Sequence, residues 1–519
     1  MGRAPVGHRV GLALEVVLAL ALAAACGEGQ VSGEGDAGPA QRCRPSGGGP
    51  HWIAEGETLE VAIACELDWP DARFEIDPVP PGAVWDADSA TLRWTPGLDQ
   101  AAVHELTIAE PSLGETGAMT IGVADAWDHP DNVPVVDPLA YPLEYGVPVL
   151  FLSPPPQVEE PYQPVTVVYR GRTYQAEGKL RGASSLAYPK KSYTIKFDGV
   201  KFSDPDADGG FVSKDRIVLT STFDDNAYLR QWLAFELWSR LEPTIPVQAY
   251  MVVVYSDGEF YGLYTLTDHI DDELMKAVGL AESGNLYKAV SHDANFRLTA
   301  HGGGDKGTLH DGYEKKEGTP EHGEPGAYDD LDELVQFVAT ADDGAFAAEI
   351  GQRVELADYE KWWMLATFIR ADDSAGKNSY HYHDATRSWR VAPWDFNASF
   401  GQAWTTHRVA ANPVDPYTNL NRLFERLLAD PELGAAMRAR YRAALEDGPL
   451  AADTVLELVD QMAASIGPVA RRDWARWQTQ YRSFGRWSDR SDWTSHEEEV
   501  AYVRSWLEAR SAAVSAMLD

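Results

Sequence analysis

Residues 370–401 constrain the fold of this chain more than any other stretch. Two short alternating runs, 379–383 and 389–392, are joined by the turn-forming Asp384-Ala385-Thr386-Arg387-Ser388, a pattern that predicts a β-hairpin. Asp372, Asp373 and Asn378 precede the first run, and Asp395 and Asn397 follow the second. A hairpin returns its ends to one place, so these oxygen donors are expected to converge, with Lys377 beside them. Hard oxygens at one point suit Mg²⁺ bound to phosphates, because Mg²⁺ takes one or two carboxylates and fills its other positions with water and phosphate oxygen.

Spacing narrows the chemistry. Asp373 and Asn378 are five apart, as in a protein-kinase catalytic loop, where the Asp accepts the substrate hydroxyl proton and the Asn holds a metal. Asp395-Phe396 falls where a kinase places Asp-Phe-Gly, with Asn397 as the third residue. Taken alone, the same residues also read as a polar turn, since Asp and Asn are ordinary turn formers. The rest of the chain has to decide.

At 519 residues the chain exceeds one ordinary core, so a multidomain protein is expected. A formal net charge of −36 disfavours nucleic acid or an anionic membrane surface as partner, both of which need a basic face. Any phosphate site must therefore assemble its own local cations. Residues 1–25 read as a secretion signal, with Arg3 and Arg9 ahead of an apolar run that ends at Cys26. Leu22-Ala23-Ala24-Ala25-Cys26 resembles a bacterial lipoprotein cleavage site, with its Leu one position further from the Cys than usual; ordinary signal cleavage is the alternative. The expected location is secreted, at the cell envelope, with lipid on Cys26 as the only membrane attachment. Cys43 and Cys65 remain as a candidate disulfide.

Residues 26–50 read as a Gly-rich tether. Residues 51–123 alternate in short runs between Pro and Gly turns, which predicts an all-β sandwich. Its Pro81-Gly82 … Asp86 and Trp94-Thr95-Pro96 resemble immunoglobulin-like or cadherin-like repeats of bacterial surface proteins, with Trp85 and Trp94 as core anchors. Residues 124–148 read as a linker, and 149–519 as the large α+β remainder with a helical C-terminal part. In it, Arg181-Gly182-Ala183-Ser184-Ser185 and Lys190-Lys191 lie between two predicted strands, where Ser hydroxyls, backbone N–H groups and lysines can wrap a polyphosphate. Asp204, Asp206, Asp208, Gly209 and Asp215 match a calcium loop in spacing, against the alternative of a plain acidic turn. A Gly/His/Glu-rich excursion at 292–326 reads as a mobile surface insertion, and a helix is expected over 451–466.

Taken together, Arg181-Gly182-x-Ser184-Ser185, Pro189-Lys190-Lys191-Ser192-Tyr193, Asn226 through Arg230, Tyr261-Gly262-Leu263-Tyr264, Leu286-Tyr287-Lys288, Asp373 through Asn378 and Pro393-Trp394-Asp395 resemble the spore-coat CotH kinase family across about residues 145–519. The resemblance implies an atypical protein kinase-like fold that uses ATP with Mg²⁺ or Mn²⁺ to phosphorylate Ser or Thr of a partner protein in the envelope or outside the cell. It implies Asp373 as the catalytic Asp, with Asp372 as rival, and Asn378 and Asp395 as metal ligands. Arg181, Lys190 and Lys191 would contact phosphates, with Lys196 as a rival lysine. Asp268 stands where the family commonly has Glu, and Asn397 where it often has Asp. A kinase-shaped surface scaffold without turnover is the alternative function.

Overall fold

The structure, a computed structural model, describes residues 43–67, 71–132, 136–207, 210–386 and 388–519. The secretion signal, Cys26, most of the tether, and Asp208 and Gly209 of the calcium-like loop lie outside the described residues.

Short alternating strands build the N-terminal module. His51–Ala54, Glu115–Ala124, Ala102–Glu110 and Glu75–Asp77 form one sheet, and Leu59–Ala62, Thr91–Trp94 and Val84–Asp86 form another. Their alternate side chains, among them Leu92, Trp94, Ile108 and Ile121, close on one core. Cys43 and Cys65 are joined by a disulfide with Cα atoms 4.9 Å apart. Residues 125–132 and 136–147 pack against the large domain: Trp127 stacks on Phe260, and Glu144, fully buried, takes hydrogen bonds from Tyr141 and Tyr255 and pairs with Arg472 at 2.7 Å.

Seven strands of the large domain close a barrel. In chain order they are β1 (Val147–Ser153), β2 (Gln163–Tyr169), β3 (Arg172–Arg181), β4 (Ser192–Phe197), β5 (Arg216–Ser221), β6 (Ala249–Ser256) and β7 (Glu259–Asp268). Their spatial order is β1-β2-β3-β4-β5-β7-β6, and β6 returns to pair in parallel with β1, Val149 opposite Val253. Closure leaves these strands no free edge. Strand alternation sends Leu150, Leu152, Ile195, Ile217 and Leu266 into one core, while Val149, Phe151, Val218 and Val253 belong to the larger core shared with the helices. Helix α1 (Arg230–Arg240) packs in that larger core; Asp225 supplies its start by accepting from the Arg230 N–H at 2.8 Å.

A second, antiparallel sheet carries the central hairpin. Its strands are β8 (Asn285–Ala289), β9 (Tyr313–Glu317), β10 (Ser379–His383) and β11 (Arg390–Pro393), in the order β9-β8-β10-β11. Helix α2 (Leu356–Ile369) precedes the hairpin; α3 (Ala452–Ser483) and α4 (His496–Leu518) complete the C-terminal part.

Two expectations are corrected. The 292–326 excursion is anchored, not loose: Ala294 and Phe296 are buried, Tyr313 enters β9, and Phe296 and Tyr313 both pack edge-on against His381. The helix expected to end at Ile466 runs through Pro468 to Ser483. Proline removes one helical hydrogen bond, but burial of Val469, Ala470, Trp477 and Tyr481 sustains the far half. Among the described residues no helix is long and apolar enough to cross a membrane.

Candidate functional site

The hairpin ends meet as its geometry requires. Ser379 at the start of β10 pairs with Pro393 at the end of β11, and the Trp394 N–H donates to the Asn378 carbonyl at 2.7 Å. The Ser374 hydroxyl ties the arms together through the carbonyls of Trp394 and Asp395, at 3.0 and 2.8 Å. Asn378 and Asp395 both adopt left-handed backbone, φ 56° and 64°, a region that Asn and Asp enter at lower cost than bulkier residues. Both then line a cleft of about 760 Å³ between barrel and hairpin, within the range of small-molecule sites.

Asp373 sits beside the cleft. It is paired with Lys377 at 2.8 Å and His292 at 3.3 Å, and takes a hydrogen bond from the Asn378 amide at 3.3 Å. Burial works to raise its carboxyl, but the His292 hydrogen bond and Lys377 outweigh it and hold the group below the usual Asp range. Asp395 behaves in the opposite way. Burial, with repulsion from Asp373 and Asp224, pushes it up to about 6 against the attraction of Lys288 and Arg181. Among the described residues none donates a hydrogen bond to its carboxylate.

Of the four cations expected at phosphates, Arg181 alone lines the cleft. It lies over the Trp394 ring at 5.3 Å, and burial lowers its affinity for its proton. Lys190 is turned inward and fully buried: it pairs with Asp473 and donates to the Leu263 carbonyl at 2.6 Å and Thr222 at 3.1 Å. Lys191 donates to the Leu186 carbonyl at 2.7 Å, and Lys196 pairs with Asp198 at 3.4 Å. Asp372 lies away from the cleft lining, accepting from Tyr417 at 2.6 Å. Asp268 is held by Lys214 at 2.6 Å and the Gln248 N–H at 2.8 Å. In the calcium-like loop Asp204 already accepts from Tyr169 and pairs with Arg170 at 2.9 Å, while Asp215 pairs with Lys201 at 3.2 Å.

Sequence reasoning missed Lys288, Asp224 and His292 as contributors. Lys288 projects from β8 over Tyr380 into the cleft, and burial, then Arg181, lowers it to about 8. Among the described residues neither Arg181 nor Lys288 has an ion-pair partner within 4.0 Å. The triplet Leu286-Tyr287-Lys288 carried a signal; His292 lay in a stretch read as a mobile insertion, and Asp224 just before the Asn226-to-Arg230 motif.

The donor set fits a divalent cation bound to phosphate. The Asn378 amide oxygen and the Asp395 carboxylate have no protein donor among the described residues, and two cations without counter-ions face the same cleft. No three His, Cys, Asp or Glu side chains among those residues gather closely enough to hold a metal alone. The remaining ligands would come from phosphate and water, as Mg²⁺ prefers.

The model of the family described as CotH kinase protein matches residues 179–514. Inner spore coat protein H of Bacillus subtilis (strain 168) is 28% identical over 270 residues, which cover 51% of this chain and 68% of that protein. The matched segment takes in the end of β3, most of the cleft lining, the central hairpin and most of α4, well over half of the chain, and the protein belongs to the CotH kinase family.

Proposed function

We propose that this protein is a CotH-like kinase that transfers the γ-phosphate of ATP to a Ser or Thr hydroxyl of another protein outside the cytoplasm. The observation that carries the reading is Arg181 and Lys288, half-buried or deeper and without ion-pair partners among the described residues, lining one cleft with Asp395. Holding charge away from water is costly, and a protein that leaves cations unpaired in such a place keeps them for an anionic ligand.

Asp373 takes the acceptor hydroxyl. His292 and Lys377 keep it ionised at neutral pH, so it can orient the O–H and receive its proton. The hydroxyl oxygen bonds to the γ-phosphorus as the bond from that phosphorus to the bridging oxygen breaks. The proton ends on Asp373, and ADP leaves with the electron pair. Arg181 and Lys288 offset the negative charge on the phosphates during transfer. A divalent cation held by Asn378 and Asp395 would supply further charge neutralisation there.

Disulfides persist in oxidising compartments, and the named relative is a spore coat protein; both support an extracellular or coat location. We read the N-terminal module as an immunoglobulin-like spacer between an anchor at Cys26 and the kinase domain. The test is incubation with labelled ATP, Mg²⁺ or Mn²⁺ and a Ser-rich acceptor, beside Asp373→Ala and Asp395→Ala. Transfer by the parent, lost in both variants, is expected. Absence of both transfer and nucleotide binding in the parent would leave the kinase-shaped scaffold.

A further inference from the structure

Asp224 takes no part in the transfer step, yet it is set into the same site. It lies in the turn between β5 and α1, lines the cleft with Asn378 and Asp395, and is only 4% exposed. Its two oxygens have different surroundings. Oδ2 accepts from the Asn397 amide at 2.5 Å and from the Tyr188 hydroxyl at 3.0 Å. No other described residue donates to Oδ1, and no described cation pairs with Asp224 within 4.0 Å. Asp224 lines the cleft, and Oδ1 is the oxygen left for a ligand there.

A carboxylate held through one oxygen, with the other left without a donor at the lining of a cleft that carries Arg181 and Lys288, is set up for a cation. Metal-ligating carboxylates are characteristically hydrogen-bonded in this way by outer partners that set their direction. The two partners come from the arms that frame the site. Asn397 follows Asp395 by two residues, and Tyr188 belongs to the segment after Arg181. Tyr188 is itself pinned from the C-terminal side, where Arg486 donates to its hydroxyl at 3.0 Å and to the Ser184 carbonyl at 2.9 Å. An Asp in place of Asn397 would lose the donor and set a second carboxylate against Asp224.

We propose that Asp224 is a second carboxylate ligand of the divalent cation in this cleft, and that Asn397 and Tyr188 are its positioning residues. The proposal rests on the phosphotransfer reading of the cleft and adds a ligand to it.

The test uses the intact chain with Mn²⁺ as probe, its binding followed by electron paramagnetic resonance with and without ADP, and ADP affinity measured separately in chelator. Asp224→Asn keeps the shape and the acceptor for Asn397 and Tyr188 while replacing the free oxygen by an amide nitrogen. It is expected to weaken Mn²⁺ binding at least about tenfold, the usual scale for disturbing a metal site's supporting shell or more, with ADP affinity in chelator changed less than about twofold. Tyr188→Phe, which alters no charge, is expected to weaken Mn²⁺ about threefold, and it carries the test if Asp224→Asn fails to fold. Unchanged Mn²⁺ affinity in both variants, alongside loss in Asp395→Asn, would overturn the assignment of Asp224 alone. A parent that binds neither Mn²⁺ nor ADP would overturn the reading of the cleft and this proposal with it.

Discussion

Lys190 and Lys288 are both drawn into the interior of the same domain near a carboxylate, and the fold treats them in opposite ways. Lys190 is saturated: Asp473, the Leu263 carbonyl and Thr222 take its protons, and Asp473 also accepts from the Leu263 N–H at 2.6 Å. Lys288 has an aromatic face and four charged neighbours at longer range, Arg181, Asp395, Lys316 and Glu314, but no ion pair among the described residues. The first arrangement locks the segment after Arg181 to α3. The second leaves charge available to a ligand. The difference teaches that a buried cation signals function when its counter-charge is missing, not when it is present.

The comparison can be broken most severely on the ligand side. Asp395→Asn is expected to cut phosphate transfer by about 10³-fold, about 4 kcal/mol of transition-state stabilisation, while the melting temperature stays the same or rises. A large fall in melting temperature would move Asp395 to the structural class. On the locked side, Lys190→Met strands Asp473 and is expected to destabilise the fold by about 3–5 kcal/mol in equilibrium denaturation. The pair Lys190→Met with Asp473→Leu should recover more than half of that loss; no recovery would mean that the lysine acts through something other than Asp473.

Lys288→Met sharpens the contrast. Its folded-state value of about 8 lies below the unfolded 10.5, so folding favours the neutral amine and the charged form costs stability at every pH below about 8. The substitution is expected to raise stability at pH 7 by about 1–2 kcal/mol after allowance for solvent screening. That gain should shrink as pH rises from about 8 to about 10.5, while ATP affinity falls about tenfold at pH 7. Loss of stability instead would place Lys288 beside Lys190.

The smallest effect is expected at the N-terminal boundary. Burial, then repulsion from Glu55, raises Asp125 to about 6 against the pull of Arg472. A folded value above the unfolded 3.8 means that stability falls as pH rises between about 4 and about 6 and stays lower above that window. Asp125→Asn should remove this slope and add about 1 kcal/mol at pH 8. Denaturation midpoints at pH 4 and pH 8 measure both.

Much of this organisation could be read before any coordinates. The alternation on either side of Asp384-Ala385-Thr386-Arg387-Ser388 specified a hairpin, and a hairpin must bring Asn378 and Asp395 together. The β pattern of the N-terminal module was equally local, because its core follows from residues two apart on each strand. Arg181 and Lys190 were harder to separate. They belong to one short segment with similar charge, and which one faces the cleft depends on Asp473, 283 residues beyond Lys190. The excursion at 292–326 misled because its Gly content suggested mobility, whereas Phe296 and Tyr313 anchor it on His381 and bring His292 to Asp373.

The sequence by itself determined the strands, the turn and the set of oxygen-bearing residues at the hairpin ends, since these depend on periodicity and on conformations that neighbouring residues impose on one another. Tertiary structure alone decided which charges are neutralised. Closure of the barrel, passage of α3 through Pro468 and docking of the 292–326 segment give Lys190 its partner and leave Arg181 and Lys288 without one among the described residues. Electrostatic pairing is set by distance in space and by exclusion of water, and neither is written in the order of residues along the chain.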